Sequence, residues 1–372
     1  MRGRIHSFSS VSFDKKAPLF YRLILPLEKE VDFHFQIEQA VYEIEKHCCR
    51  ECLQVNFENN IDFHLYQYKD RKKKENYLII DAIKEMSYDV FADYCYSLLV
   101  SFGYITGHFP QNEGFFFSYD TIEMNKPTSF LYSEFRDSIY SFYSPIYSNA
   151  YGYIRDNRIA ESEQDNLRVL TTNEFSLLCQ KVHTNSEFLA ILLLILESST
   201  SSLLVMPSGF SIALEGLTEI FAKENEEKIT PIKDRSQAKE FRKELLEVLY
   251  KYGKDIGEDA VSIVLKRINN INQPTNQDKL IKPFEILKFD LTKEDRIAIN
   301  HRNDFLHGKI TLSESDDSSG KSKTYHIALR LYTLLSVIIL KSVGYDNKIV
   351  NYPKIHESTS SDKIEEPYYR QI

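Results

Sequence analysis

Near residue 171 the spacing of the apolar side chains changes from a period of two to a period of three to four. Ahead of that point, Ile61-Asp-Phe-His-Leu-Tyr-Gln-Tyr68 alternates apolar and polar residues, and Tyr77-Leu-Ile-Ile-Asp-Ala-Ile83 is a second extended run. Between them Asp70-Arg-Lys-Lys-Lys-Glu75 is charged and suits the tip of a hairpin. Residues 88–104 place Phe91, Tyr94, Cys95, Leu98, Leu99 and Phe102 at helical spacing, with Gly103 and Gly107 at the end. Phe115-Phe-Phe-Ser-Tyr119 returns to strand character, and tyrosines at 132, 140, 143, 147, 151 and 153 fill the remainder.

Beyond residue 171 the pattern is helix after helix. Residues 188–196 are apolar on every side, as in a fully buried helix. A second helix carries Phe210, Ala213, Leu214, Leu217, Ile220 and Phe221 on one stripe. A third, from about Ser236, turns Ala238, Phe241, Leu245, Leu249 and Tyr252 inward, and a short fourth holds Ala260, Ile263, Val264 and Ile268. Residues 269–277 read as a loop. A fifth helix starts at Thr292, capped reciprocally with Asp295, and stops near Gly308. A last helix over 325–343 is apolar nearly all round, and residues 351–372 read as a polar, frayed tail.

The fold class expected is α+β: a mixed α/β or β-rich N-terminal domain over residues 1–160, then an all-α helical bundle over 171–345. The chain's 372 residues agree with two domains at about 150 residues each. With 42% apolar and 27% charged residues the composition is globular rather than disordered. The longest uninterrupted apolar run, 188–196, falls far short of the ~20 residues of a membrane span, so neither a membrane span nor a secretory signal is expected. Five irregularly spaced cysteines fit a reducing compartment, so a cytoplasmic location without membrane attachment is expected. The net charge of -8 is shared by both halves, which disfavours a generic DNA-coating protein but not an enzyme gripping a short RNA stretch.

The most specific pattern is His301-Arg-Asn-Asp-Phe-Leu-His-Gly308, at the end of the fifth helix. Arg302 falls on the same stripe as Ala298, Phe305 and Leu306, and a permanent cation there needs a carboxylate, a phosphate or a partner chain. Asn303 and His307 are four apart on one face. A titratable imidazole beside a guanidinium suits phosphodiester cleavage: the imidazole moves protons and the guanidinium stabilises charge.

Arg302-Asn303-x-x-x-His307 resembles the R-N-x-x-x-H signature of the HEPN (higher eukaryotes and prokaryotes nucleotide-binding) superfamily, late in a helical domain with one long helix following. Ala213-Leu-Glu-Gly-Leu-Thr-Glu-Ile-Phe221 is similar to a helix common in the Apea-like branch of that superfamily. Phe102-Gly-Tyr-Ile-Thr-Gly107 resembles an element of the mixed domain that often precedes it. The resemblance implies a metal-independent endoribonuclease, a toxin or antiviral-defence effector, working as a homodimer through the helical domain. It implies that His307 transfers protons, Arg302 binds the scissile phosphate and Asn303 supports them. The N-terminal domain would answer an unknown trigger. Asp304 departs from the pattern, since its carboxylate can pair with Arg302 or His307 and compete with phosphate. Glu197 and Glu215 interrupt apolar helical sequence; either is a candidate to neutralise Arg302, and the sequence places neither opposite it. The alternative is a catalytically silent HEPN-like module for dimerisation or for nucleotide or RNA binding.

His47-Cys48-Cys49-x-x-Cys52 has ligand types for zinc but lacks a second pair at zinc-finger spacing, so buried thiols are expected. The tyrosines from 132 to 153 have Arg136 as their only interleaved cation and read as sheet packing. Arg71-Lys-Lys-Lys74 reads as a solvated hairpin tip. With no Walker-type loop, dinucleotide fingerprint or H-E-x-x-H element, no cofactor or metal is expected.

Overall fold

Alternation in the first half produces one antiparallel sheet. The computed structural model describes residues 6–28, 30–31, 37–44, 47–110, 113–134, 142–143, 168–306, 318–357 and 363–372. The sheet's strands are β1 (Ser7–Ser9), β2 (Phe20–Leu27), β3 (Ala40–Ile44), β4 (His47–Phe57), β5 (Ile61–Asp70) and β6 (Glu75–Ala82), joined by β8 (Glu113–Tyr119) and β9 (Ser129–Glu134). Their order is β1-β9-β8-β2-β6-β5-β4-β3. Because side chains alternate along a strand, register builds the faces. Leu53, Leu65, Ile80, Leu23, Phe116 and Leu131 form one buried row across six neighbouring strands. The charged tip between β5 and β6 is where the sequence places it.

Helix α1 (Tyr88–Thr106) covers that face. The Phe91 ring stacks on Tyr21 at 5.5 Å and meets Phe116 edge-on at 6.1 Å. Gly107 ends it at φ 74°, a left-handed conformation natural to glycine, and donates its N–H to the Gly103 carbonyl. A two-residue pairing follows, between β7 (His108–Phe109) and β10 (Phe142–Tyr143). Of the tyrosine series, Tyr132 lies buried in β9; Tyr140, Tyr147, Tyr151 and Tyr153 lie outside the described residues.

The second half is helical: α2 (Thr172–Thr184), α3 (Ser186–Ser199), α4 (Met206–Glu224), α5 (Glu226–Ile229), α6 (Arg235–Ile256), α7 (Glu258–Asn269), α8 (Asn276–Ile286), α9 (Lys293–Leu306) and α10 (Ser318–Lys341). Central to it is α4, packed against α3, α8, α9 and α10, with its six expected core residues all buried. Gly209 and Gly216, seven apart, face α3. A Cβ on Gly209 would sit 1.9 Å from Ser198 Oγ, so the two helices approach as closely as they do only without one. The 19 residues Lys323–Lys341 of α10 are long and apolar enough to cross a membrane, yet 78% of that window is buried inside the protein. It is the core helix of the bundle.

One apolar core runs through both halves. Across the seam, Ser176 Oγ in α2 accepts from the Asn56 backbone N–H at 3.0 Å, and Gln180 Oε1 accepts from Glu58 N–H at 3.0 Å. Tyr104 in α1 donates to Ser336 Oγ in α10 at 3.2 Å.

Four expectations change. Helix α3 is not buried all round: Phe188, Leu192, Ile195 and Leu196 are buried, while Ala190 is exposed. Helix α6 packs chiefly on α7, so of its expected inward stripe only Leu249 is buried. The expected loop over 269–277 ends in α8, whose start the sequence marks with a Thr275–Asp278 capping box. Residues 351–372 are not a frayed tail where described. After β11 (Lys348–Val350), α11 (Tyr352–Ile355) lies on α10, and β12 (Tyr369–Gln371) pairs antiparallel with β11. Asn351, Tyr352 and Tyr369 are buried, because polar side chains in this stretch find partners that close over the core.

Candidate functional site

Helix α9 carries the motif. Thr292 and Asp295 cap it reciprocally: Thr292 N–H donates to Asp295 Oδ2 at 2.8 Å, and Asp295 N–H donates to Thr292 Oγ1 at 3.1 Å. At its other end Ser208, in the first turn of α4, donates to the Phe305 carbonyl at 3.4 Å. The last turn of α9 therefore lies against the start of α4, a helix terminus with no side-chain cap, where Met206 N–H donates to the Ser202 carbonyl and Pro207 has no N–H to offer.

Arg302 is 7% exposed among the apolar side chains of α9. Its Nε donates to Glu215 Oε1 in α4 at 3.0 Å, and Nη1 donates weakly to the Ile299 carbonyl at 3.4 Å. Its Nη2 makes no hydrogen bond among the described residues. Of the two candidate carboxylates it is Glu215, not Glu197, that compensates the cation. Glu197 sits in the last turn of α3, where its carbonyl accepts from the Ser201 hydroxyl. The Glu215 side chain is 43% exposed, so the ion pair reaches solvent on one side.

Asp304 turns to His301, whose Nδ1 is 3.1 Å from Asp304 Oδ2, rather than to Arg302. Asn303 is exposed beside it. His307 lies outside the described residues.

Behind the motif is a charge cluster that the sequence alone did not disclose. Asp295, fully buried, accepts from both Arg330 in α10 and Arg370 in β12, and Arg330 also pairs with Glu366 at 3.0 Å. Burial alone would push the Asp295 carboxyl up; the hydrogen bond and charge of Arg370, with Arg330 beside it, hold it below the ordinary range. The capping-box spacing betrays one role of Asp295, but the two arginines come from 35 and 75 residues away.

The described cysteines Cys52, Cys95 and Cys179 are buried, and no group of His, Cys, Asp and Glu suited to a metal ion occurs among the described residues. The side chains of Cys48 and Cys49 lie outside them. His183 stacks on Tyr94 at 4.0 Å, with Nδ1 3.4 Å from Ser97 Oγ. That hydroxyl already donates to the Asp93 carbonyl, and burial pushes the imidazole down. A cleft of about 360 Å³ at the foot of α6 is lined by Lys233, Arg235, Lys239 and Arg242 with Glu226 and Glu227, and by none of the motif residues.

Comparison of the chain with protein-family models, with curated proteins and with solved structures finds no match in any of the three.

Proposed function

We propose that the chain is a metal-independent endoribonuclease of the HEPN type, acting in the cytoplasm as a homodimeric toxin or antiviral-defence effector. The observation that carries the reading is the disposition of the Arg302 guanidinium: Glu215, itself part-exposed, fixes it through Nε, and Nη2 makes no hydrogen bond among the described residues. A planar cation held this way is prepared to receive a nonbridging phosphate oxygen and the charge that develops on it. Asn303 is exposed next to it. In the proposed reaction His307 takes the proton of a ribose 2′-hydroxyl, which attacks the adjacent phosphorus; the 5′-oxygen then leaves with a proton. The products are a 2′,3′-cyclic phosphate and a 5′-hydroxyl. The N-terminal sheet would take the trigger.

A second reading has its own support. An arginine only 7% exposed and neutralised within its own chain is also what a silent HEPN-like dimerisation or RNA-binding module would contain. Labelled RNA incubated with the protein in EDTA separates the two. Cleavage that leaves a cyclic phosphate and is abolished by His307→Ala supports the enzyme. Intact RNA with a clear binding shift supports the module.

A further inference from the structure

Of the α6 residues expected to face the core, Leu249 is buried, but Phe241 and Tyr252 face solvent, and Val248 joins them there. Phe241 is 45% exposed, Val248 54% and Tyr252 52%, and Leu245 between them is partly exposed. Spacings of four, three and four residues line them up as a seam of the kind that buries itself against another helix. The seam is not used by α7, whose contact lies a quarter-turn away, where Leu249 is buried and Gly253 meets Val261.

The seam has a two-fold pattern. Phe241 and Tyr252 lie equally far from a point between residues 246 and 247, and so do Leu245 and Val248. An antiparallel copy of the helix therefore sets Phe241 against Tyr252 and Leu245 against Val248 at both ends. The charges agree with it. Glu244 and Lys251 both border the seam on the side away from α7, within a residue of the same midpoint, so each faces the other across such a pair. Within the chain neither makes an ion pair among the described residues; Lys251 rests over the Tyr252 ring at 5.4 Å.

We propose that α6 pairs antiparallel with α6 of a second copy of this chain, joining two α6–α7 hairpins into a four-helix arrangement. The occupant is a second copy because both the apolar order and the Glu244–Lys251 charges are complementary to themselves, as an isologous interface requires. This pairing stands whether or not the chain cleaves RNA, since it uses none of Arg302, Asn303 and His307.

Sedimentation velocity and equilibrium on the full chain at micromolar concentrations test it. The wild type is expected to be a dimer. Val248→Glu, at an exposed position, should weaken the dimer on the order of 100-fold by placing two carboxylates near the axis, while the circular-dichroism melt stays that of the wild type. Glu244→Lys and Lys251→Glu should each weaken it roughly tenfold, and the double exchange should restore it. A monomeric wild type would overturn the proposal. So would a dimer indifferent to Val248→Glu, or a double exchange no tighter than the single ones. RNA cleavage is scored separately: a monomer that cleaves RNA removes this pairing and the homodimer while leaving the cleavage chemistry, and a dimer that leaves RNA intact does the reverse.

Discussion

Arg370, in the last strand, grips Asp295 at the start of α9 with both ends of its guanidinium: Nη2 donates to Oδ2 at 2.8 Å and Nη1 to Oδ1 at 3.0 Å. Its guanidinium also lies over the Phe289 ring at 4.4 Å. The C-terminal residues thereby hold the helix that carries Arg302.

Arg370→Met should therefore unfold the protein more easily. Removing one arm of a buried ion network leaves Asp295 with Arg330 alone and should cost about 3 kcal/mol. Urea denaturation of wild type and variant reads this directly. Deleting residues 363–372 should cost at least as much, and an unchanged midpoint would mean that the C-terminal grip contributes nothing.

Acid should destabilise the fold through the same carboxylate. Asp295 is held below its ordinary range, and so is Glu174, where burial opposes and the bidentate bond from Arg168 prevails. A carboxylate depressed in the folded state contributes its full stability above the unfolded value of about 4 and loses it as pH falls through the folded value. Melting temperatures should be nearly flat from neutral pH down to that value and fall below it. Asp295→Asn should lower the plateau and make the acid limb shallower.

Glu215 and His307 should fail differently. Glu215→Gln removes a half-exposed charge, so stability should drop by about 1 kcal/mol or less. Cleavage should drop on the order of tenfold, because the guanidinium loses the anchor at Nε. His307→Ala should cost ~10²–10⁴-fold in rate with RNA affinity kept. Arg302→Lys should weaken both, having no planar fork. Asn303→Ala should cost about tenfold at most. Single-turnover rates beside binding isotherms distinguish these outcomes, and equal rates across the set would remove the motif from the chemistry.

The buried thiols should be inert. Burial pushes Cys179 up to about 12 and Cys95 well above its ordinary value, so neither offers a thiolate near neutral pH. Alkylation followed by peptide mass spectrometry should find both unmodified in the native protein and modified after denaturation. Native labelling of either would contradict the packing of α1 against α2.

Local pattern carried much of the architecture. The period-two run at 61–68 and the extended run at 77–83 became β5 and β6 with the charged tip between them, and the stripe from Phe210 to Phe221 became the buried face of α4. The Thr292–Asp295 spacing located the start of α9, because a capping box is made within one turn of chain. Arg302 was recognisable as a cation needing compensation on an apolar stripe. Its compensator stood open among a carboxylate, a phosphate and a partner chain until the helices packed.

Sequence by itself determined which residues alternate, which share a helical face and where helices begin, since those depend on neighbours a few positions apart. Tertiary structure decided which apolar faces found a partner. The apolar residues of α6 recur with the helical period as those of α4 do, yet the seam of Phe241, Leu245, Val248 and Tyr252 faces solvent and the α4 face lies under α3, α9 and α10. Tertiary structure also gave Asp295 its two arginines and Arg302 its Glu215, over separations of 35, 75 and 87 residues. A hydrophobic pattern states that a face must be buried and a buried charge states that it must be paired. Neither names the partner, because burial is not directional and an ion pair depends on distance through space rather than along the chain.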